Sequence, residues 1–99
     1  MSISSQTTGD KLTISISGRF DFDLHREFRA AIDSISESTK HITVDLRTTE
    51  YVDSSALGML LMLKSKMGDQ KDKVSLINAK PEVKKILEIA NFGQLFSLA

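Results

Sequence analysis

The chain has 99 residues, enough for one domain with a real core, because a chain of this length buries roughly 60–68% of the surface that its unfolded form exposes. The 13 Lys and Arg residues balance the 13 Asp and Glu residues, which argues against binding nucleic acid or anionic membranes through bulk charge. There is no cysteine, which excludes disulfides, thiolate metal sites and thiol chemistry.

The composition is that of an ordinary globular protein, with 40% hydrophobic and 26% charged residues. The N-terminus lacks the basic and apolar segments of a secretory signal. The longest apolar run, Met59–Leu63, is far shorter than the about 20 residues that span a bilayer. Neither a linker nor a repeat divides the chain, so we expect a single cytoplasmic domain over residues 1–99.

Three segments carry the alternation of apolar and polar residues that predicts β-strands. Residues 11–17 and 41–47 alternate over their whole length, and residues 73–77 form a third strand. A turn signal at Gly9 and Asp10 precedes the first of these strands. Residues 2–8 are therefore predicted to be its antiparallel hairpin partner.

Three other segments have apolar residues at helical spacing. The first covers residues 23–37, with Asp23 as the expected N-cap, and the others cover residues 54–67 and 81–90. The resulting order is β-β-α-β-α-β-α. The apolar tail from Phe92 to Leu98 is too short to assign.

This order of elements predicts an α+β fold. Strands that are joined through helices are expected to be parallel, with right-handed crossovers. The alternating strands indicate that one face of the sheet is polar. We therefore expect a two-layer α/β sandwich in which a mixed sheet of four to five strands carries the helices on one face. Such a sandwich lacks the nucleotide cleft of doubly wound folds.

The most informative segment is Asp53-Ser54-Ser55, where a strand passes into a helix. Asp and Ser are the residues that cap helix N-termini, so a structural cap is one interpretation. A serine hydroxyl at an exposed helix N-terminus is also a natural position for a phosphate, which the free amides and the helix dipole would stabilise. Both interpretations stay open on the residues alone.

A helical projection of residues 54–67 divides the segment into two sides. The side expected to face the sheet contains Ala56, Leu57, Leu60, Leu61, Leu63 and Met67. The side expected to face solvent contains Ser54, Ser55, Gly58, Met59, Met62, Ser65 and Lys66. Methionine is common on adaptable binding surfaces, and Gly58 lowers the relief beside the serines. The projection therefore allows a docking surface that includes Met59 and Met62, or a core in which loops cover them.

Two motifs resemble those of bacterial anti-sigma factor antagonists, in the STAS-domain family. Residues 53–58 are similar to the family's phosphorylation motif, usually Asp-Ser-[Ser/Thr]-Gly-Leu-Gly, with Ala56 where the family usually has glycine. Residues 18–21 are similar to its Gly-x-[Leu/Phe]-Asp signature. The resemblance implies that Ser54 is phosphorylated and that Asp21 lies near it. Residues 20–23 and 55–60 most resemble the subgroup linked to motility and biofilm control.

The resemblance implies a partner-switching function. The unphosphorylated protein would bind an anti-sigma factor and thereby release a sigma factor. The predicted partner-binding residues are Asp21, Asp53, Ser54, Ser55, Gly58, Met59 and Met62. A serine kinase, which can be the anti-sigma factor itself, would break the complex, and a PP2C-type phosphatase would restore it. The kinase and the phosphatase can also be domains of one response regulator. The chain itself is expected to be a monomer without enzymatic activity, metal or cofactor.

Two alternatives from other functional classes remain. An enzyme would need a base near Ser54, and the only histidines are His25 and His41, both expected at the surface. No Gly-x-Ser-x-Gly elbow surrounds Ser54 either. The second alternative is a non-catalytic STAS subunit of a membrane transport complex, such as a lipid ABC transporter, because docking to an ATPase subunit would use a similar surface.

Overall fold

The computed structural model describes residues 3–98; the first two residues and the last lie outside it, so the strand predicted to begin at residue 2 is tested from residue 3 onward. Seven strands and three helices are joined by short turns, three of which are single 3-10 turns. The strands are β1 (Ile3–Thr8), β2 (Lys11–Ile16), β3 (Gly18–Phe20), β4 (His41–Asp45), β5 (Thr49–Val52), β6 (Val74–Ile77) and β7 (Ser97–Leu98). The helices are α1 (His25–Asp33), α2 (Ser54–Lys66) and α3 (Pro81–Ile89).

The main sheet has five strands in the order β1-β2-β4-β6-β7. Strand β1 pairs antiparallel with β2, as predicted from the turn at Gly9, and the other neighbours pair in parallel. The parallel pairs are connected through helices, as such crossovers require. The predicted mixed sheet is therefore confirmed, with β7 added by the tail that the sequence left unassigned.

One face of the main sheet forms the core. Its strands place Ile14, Ile42, Val44 and other apolar side chains on this face, where they are fully buried. The helices contribute buried residues to the same core, including Phe28 from α1. The alternate residues, such as the hydroxyl side chain of Thr43, point the other way and are half-buried. The alternation visible in the sequence thus identifies the core face.

A second, two-stranded parallel sheet joins β3 to β5, and the sequence did not predict it. Phe20 pairs with Val52, and both side chains are buried. Beyond this pair, the Asp53 amide donates to the Phe20 carbonyl at 3.3 Å. The small sheet therefore brings the ends of two sequence-distant segments together immediately before α2.

The first helix is shorter than predicted, and its cap is a different residue. Asp21, rather than Asp23, accepts a hydrogen bond from a backbone amide, at 3.0 Å, and it caps a 3-10 turn that leads into α1. The helix ends at Asp33, not at residue 37. The Ser34 hydroxyl donates to the Ala31 carbonyl at 2.8 Å, and Ser36 bonds to Ser38. Such local bonds of serine side chains compete with helical structure. Within residues 3–98, none of the helices is long and apolar enough to cross a membrane.

Candidate functional site

The junction between β5 and α2 assigns the helix cap to one residue. Asp53 is extended (φ −113°, ψ −176°), and its Oδ1 accepts a hydrogen bond from the Ala56 amide at 2.9 Å. Ser54 is the first residue of α2 and is exposed, whereas Ser55 is half-buried. Because Asp53 caps the helix, the Ser54 hydroxyl is not needed for that task. It stands in solvent beside the amides of the first helical turn.

Asp21 lies at the same edge of the small sheet as Asp53. The pair Phe20–Val52 is the last of the parallel register, so the two aspartates follow on neighbouring strands. One oxygen of Asp21 accepts from the Asp23 amide, and the other lies 3.3 Å from Nε of Arg19. Each aspartate thus caps a helical turn, and the small sheet brings Asp21 to the start of α2.

The exposed side of α2 differs from the projection by the exchange of two residues. Met59, expected to face solvent, is buried with 2% exposure, so its predicted role as a direct partner contact is wrong. Leu61, expected to face the sheet, is 42% exposed. Residues 56–63 are apolar or glycine throughout, so the projection had no polar side with which to orient the helix. Packing against the core therefore determines the orientation of the helix. The residues that it buries are Ala56, Met59, Leu60 and Leu63.

The outward side of α2 forms a surface that we call the docking face. It consists of the exposed residues Ser54, Gly58 and Leu61 with the half-buried Ser55 and Met62. A Cβ added at Gly58 would meet no heavy atom within 4 Å. Met62 also packs partly against the core. The docking face therefore presents apolar atoms next to serine hydroxyls, with space for another chain to approach Gly58.

Aromatic and cationic side chains flank the two aspartates, and sequence analysis missed them. Phe22 is 65% exposed, and its ring stacks on that of His25 with centroids 5.4 Å apart. Tyr51 is exposed, and the Arg19 guanidinium lies 4.3 Å from its ring centroid. The exposure of Phe22 could have been predicted from the sequence, because it is an apolar residue between two aspartates. Arg19 and Tyr51 could not, because their pairing depends on the unpredicted small sheet.

The two histidines lie in different environments. His25 begins α1, is half-buried, and stacks on the ring of Phe22. His41 is also half-buried, and its Nε2 lies 3.0 Å from the Ser75 hydroxyl on the polar face of the main sheet. The expectation that both are surface residues is therefore only partly met. His41 interacts with a serine on β6 rather than with the serines of α2.

Comparison with known proteins agrees with the fold and with the family that the sequence resembles. The family model described as "Mlab, STAS domain" matches residues 3–98. A STAS-domain containing protein of Pseudomonas aeruginosa (strain UCBPP-PA14) is 50% identical over 91 residues, which are 92% of this chain and 90% of the relative.

Three solved structures share the fold at low sequence identity. An anti-sigma factor antagonist from Mycobacterium paratuberculosis has a TM-score of 0.84 at 18% identity, covering 97% of this chain and 82% of that one. The anti-sigma factor antagonist SpoIIAA in its unphosphorylated form has a TM-score of 0.75 at 17% identity, covering 98% and 86%. A sulfate transporter family protein from Wolinella succinogenes has a TM-score of 0.75 at 16% identity, covering 90% and 73%. At these identities the structures establish the fold, whereas the family model covers nearly the whole chain. This chain is a member of the STAS-domain family.

Proposed function

We propose that this protein is an anti-sigma factor antagonist that phosphorylation of Ser54 switches off. In its unphosphorylated form it binds an anti-sigma factor and so releases a sigma factor. The observation that carries the proposal is the exposed Ser54 hydroxyl, which begins α2 next to a separate cap residue and at one end of the docking face. The fold shared with anti-sigma factor antagonists supports the same class of partner.

Local electrostatics explain how one phosphate would prevent binding. A phosphoserine carries about −1.5 to −2 charges at neutral pH, with several strong acceptor oxygens. At Ser54 this charge would join the carboxylates of Asp53 and Asp21. The apolar side chains of Leu61 and Met62 would then share the docking face with a strongly hydrated anion. A partner that buries the docking face would have to desolvate that anion, which is costly when the partner's own surface offers no matching cation.

The proposal assigns phosphoryl transfer to the partners. A serine kinase adds the phosphate and a PP2C-type phosphatase removes it, and both activities can reside in one response regulator. The protein itself acts as a monomer in the cytoplasm and supplies only the serine and the surface around it. It requires no cofactor for this role.

Two experiments test the switch. Intact mass is measured on protein purified from its native host, wild type beside Ser54→Ala; a phosphate-sized increment on wild type alone is expected. Binding of Ser54→Asp and Ser54→Ala to candidate anti-sigma factors is then compared, with Ser54→Ala expected to bind and Ser54→Asp to bind weakly or not at all. Equal binding by both variants would remove Ser54 from the mechanism, and an increment that persists in Ser54→Ala would direct attention to Ser55.

A second candidate function is that of a non-catalytic subunit of a membrane transport complex, such as a lipid ABC transporter. The structural similarity to a sulfate transporter family protein favours keeping this candidate. In such a complex the docking face would hold a transporter subunit permanently. Stoichiometric co-purification that survives high salt, with no phosphate under any growth condition, would support this role over the switch.

A further inference from the structure

The small sheet carries one cationic side chain, and this side chain lies next to Asp21. Arg19 is the only Lys or Arg in β3 and β5. Its Nε lies 3.3 Å from Oδ2 of Asp21, and its guanidinium carbon lies 4.3 Å from the centroid of Tyr51. Alternation along a strand places Arg19 and Asp21 on one face of the small sheet, as it does Tyr51 and Asp53. Ser54 follows directly after Asp53.

The present contacts of Arg19 leave it free to move. Its side chain is 65% exposed, and an ion pair of this kind is worth about 0–1 kcal/mol at most. Among the hydrogen bonds of residues 3–98, its guanidinium makes only the one from Nε, so its terminal N–H groups are available. Asp21 does not depend on Arg19 for its capping role, because its other oxygen accepts from the Asp23 amide.

We propose that Arg19 binds a phosphate on Ser54. Its guanidinium group moves away from Asp21 and contacts the phosphate oxygens instead. The inference rests on the proposed function and adds the residue that holds the phosphorylated state. A phosphate carries about twice the charge of a carboxylate, and the guanidinium fork matches its oxygens in a bidentate contact. The exchange uncovers the Tyr51 ring and leaves the Asp21 carboxylate without its cation. Phosphorylation thereby changes the surface beyond Ser54 itself.

The first test measures the phosphate directly. Phosphoserine is installed at position 54 of the full chain during translation, so that no kinase is needed, and the second ionisation of the phosphate is followed by phosphorus NMR. The expected midpoint is lower in the wild-type background than in Arg19→Gln, by roughly half a pH unit, because a nearby cation favours the dianion. Arg29→Gln serves as the matched control, because Arg29 is also exposed but lies on α1. This variant should keep the wild-type midpoint.

The second test uses Tyr51, because the sequence has one tyrosine and no tryptophan. Phosphoserine at position 54 should change the tyrosine emission in the wild-type background, where Arg19 leaves the ring. It should have no effect in Arg19→Gln, where the ring is not covered at the start. Arg19→Lys, which keeps the charge but not the fork, should recover only part of the midpoint shift. Thermal unfolding of each variant shows whether the fold is intact.

The two proposals fail in different ways. Equal phosphate midpoints in wild type and Arg19→Gln, with both proteins folded, would overturn the role of Arg19 whatever the cell does to Ser54. Absence of phosphate from the protein of the native host would instead count against the proposed switch. Tyrosine emission that ignores the installed phosphoserine in the wild-type background would also contradict the departure of Arg19 from Tyr51.

Discussion

At the start of α2, two adjacent side chains have different tasks. Asp53 fixes the first turn through its bond to the Ala56 amide, and Ser54 stands in solvent. If the serine were itself the cap, a phosphate would remove a structural hydrogen bond. With Asp53 as the cap, the modification can change the surface without unfolding the helix. The separation suits a switch that acts by charge.

Gly58 is a second residue whose placement favours recognition over stability. Glycine in a helix interior costs about 0.5–1 kcal/mol relative to alanine. Here no neighbour requires it, because a Cβ at this position would meet no atom within 4 Å. The open space lies on the docking face, one helical turn after Ser54.

We therefore predict that Gly58→Ala stabilises the protein and weakens partner binding. The free energy of unfolding in urea should rise by about 0.5–1 kcal/mol, since a helical alanine loses less conformational entropy on folding. The affinity for the partner should fall because a methyl group would occupy the space beside Gly58 on the docking face. Gly9→Ala is the control, because Gly9 has φ 62°, so the same substitution there should lower stability. Unchanged affinity with raised stability would show that no partner approaches Gly58.

At the scale of elements, α2 is the one whose orientation the sequence determined only in part. In an amphipathic helix, a polar stripe identifies the exposed side and therefore also the buried one. Helix α2 is apolar nearly all round between its serines and lysines, so it lacks such a stripe. Its existence and its start at Ser54 are predictable from the sequence, and the projection orients it correctly except at Met59 and Leu61. The exposed Leu61 and the buried Leu60 are neighbours in sequence with opposite environments.

This rotation can be tested with a matched pair of substitutions. Leu60→Ala should lower the free energy of unfolding by roughly 2–5 kcal/mol, because it leaves a cavity at a fully buried position. Leu61→Ala should change it by only about 0.5 kcal/mol, as expected away from the core, and should weaken partner binding. Urea denaturation and a binding titration measure the two effects. Similar destabilisation by both variants would contradict the orientation of α2.

Elements with strong periodicity were predictable, and those that depend on distant pairing were not. The alternation in β2 and β4 and the turn at Gly9 gave the hairpin and the core face correctly. Strands β3 and β5 are only three and four residues long, and they pair with each other across about 30 residues of sequence. The motif resemblance implied Asp21 near Ser54, but the neighbours that flank them, Arg19 and Tyr51 among them, follow from this short pairing.

At the scale of the whole molecule, the position of the site depends on how the small sheet is attached to the main one. The attachment is at Thr49, the one fully buried polar side chain among residues 3–98. Its hydroxyl donates to the Ile16 carbonyl at 2.7 Å, where β2 ends. Close by, the Gly18 amide donates to the Thr48 carbonyl at 2.9 Å. These bonds fix the start of β5, and β5 leads directly to Asp53 and Ser54.

We predict that Thr49→Val lowers both stability and partner affinity. Valine has nearly the shape of threonine but no hydroxyl, so the Ile16 carbonyl loses its short bond and keeps the longer one from Thr48 at 3.3 Å. The expected loss in the free energy of unfolding is about 0.5–1.5 kcal/mol, the net contribution of one hydrogen bond whose acceptor keeps another partner. Because β5 positions the start of α2, binding should weaken even at temperatures where the variant is fully folded. Thr48→Val, at an exposed position, should have a smaller effect on both quantities. A Thr49→Val variant that is destabilised yet binds normally would mean that the docking face is held in place by the packing of α2 alone.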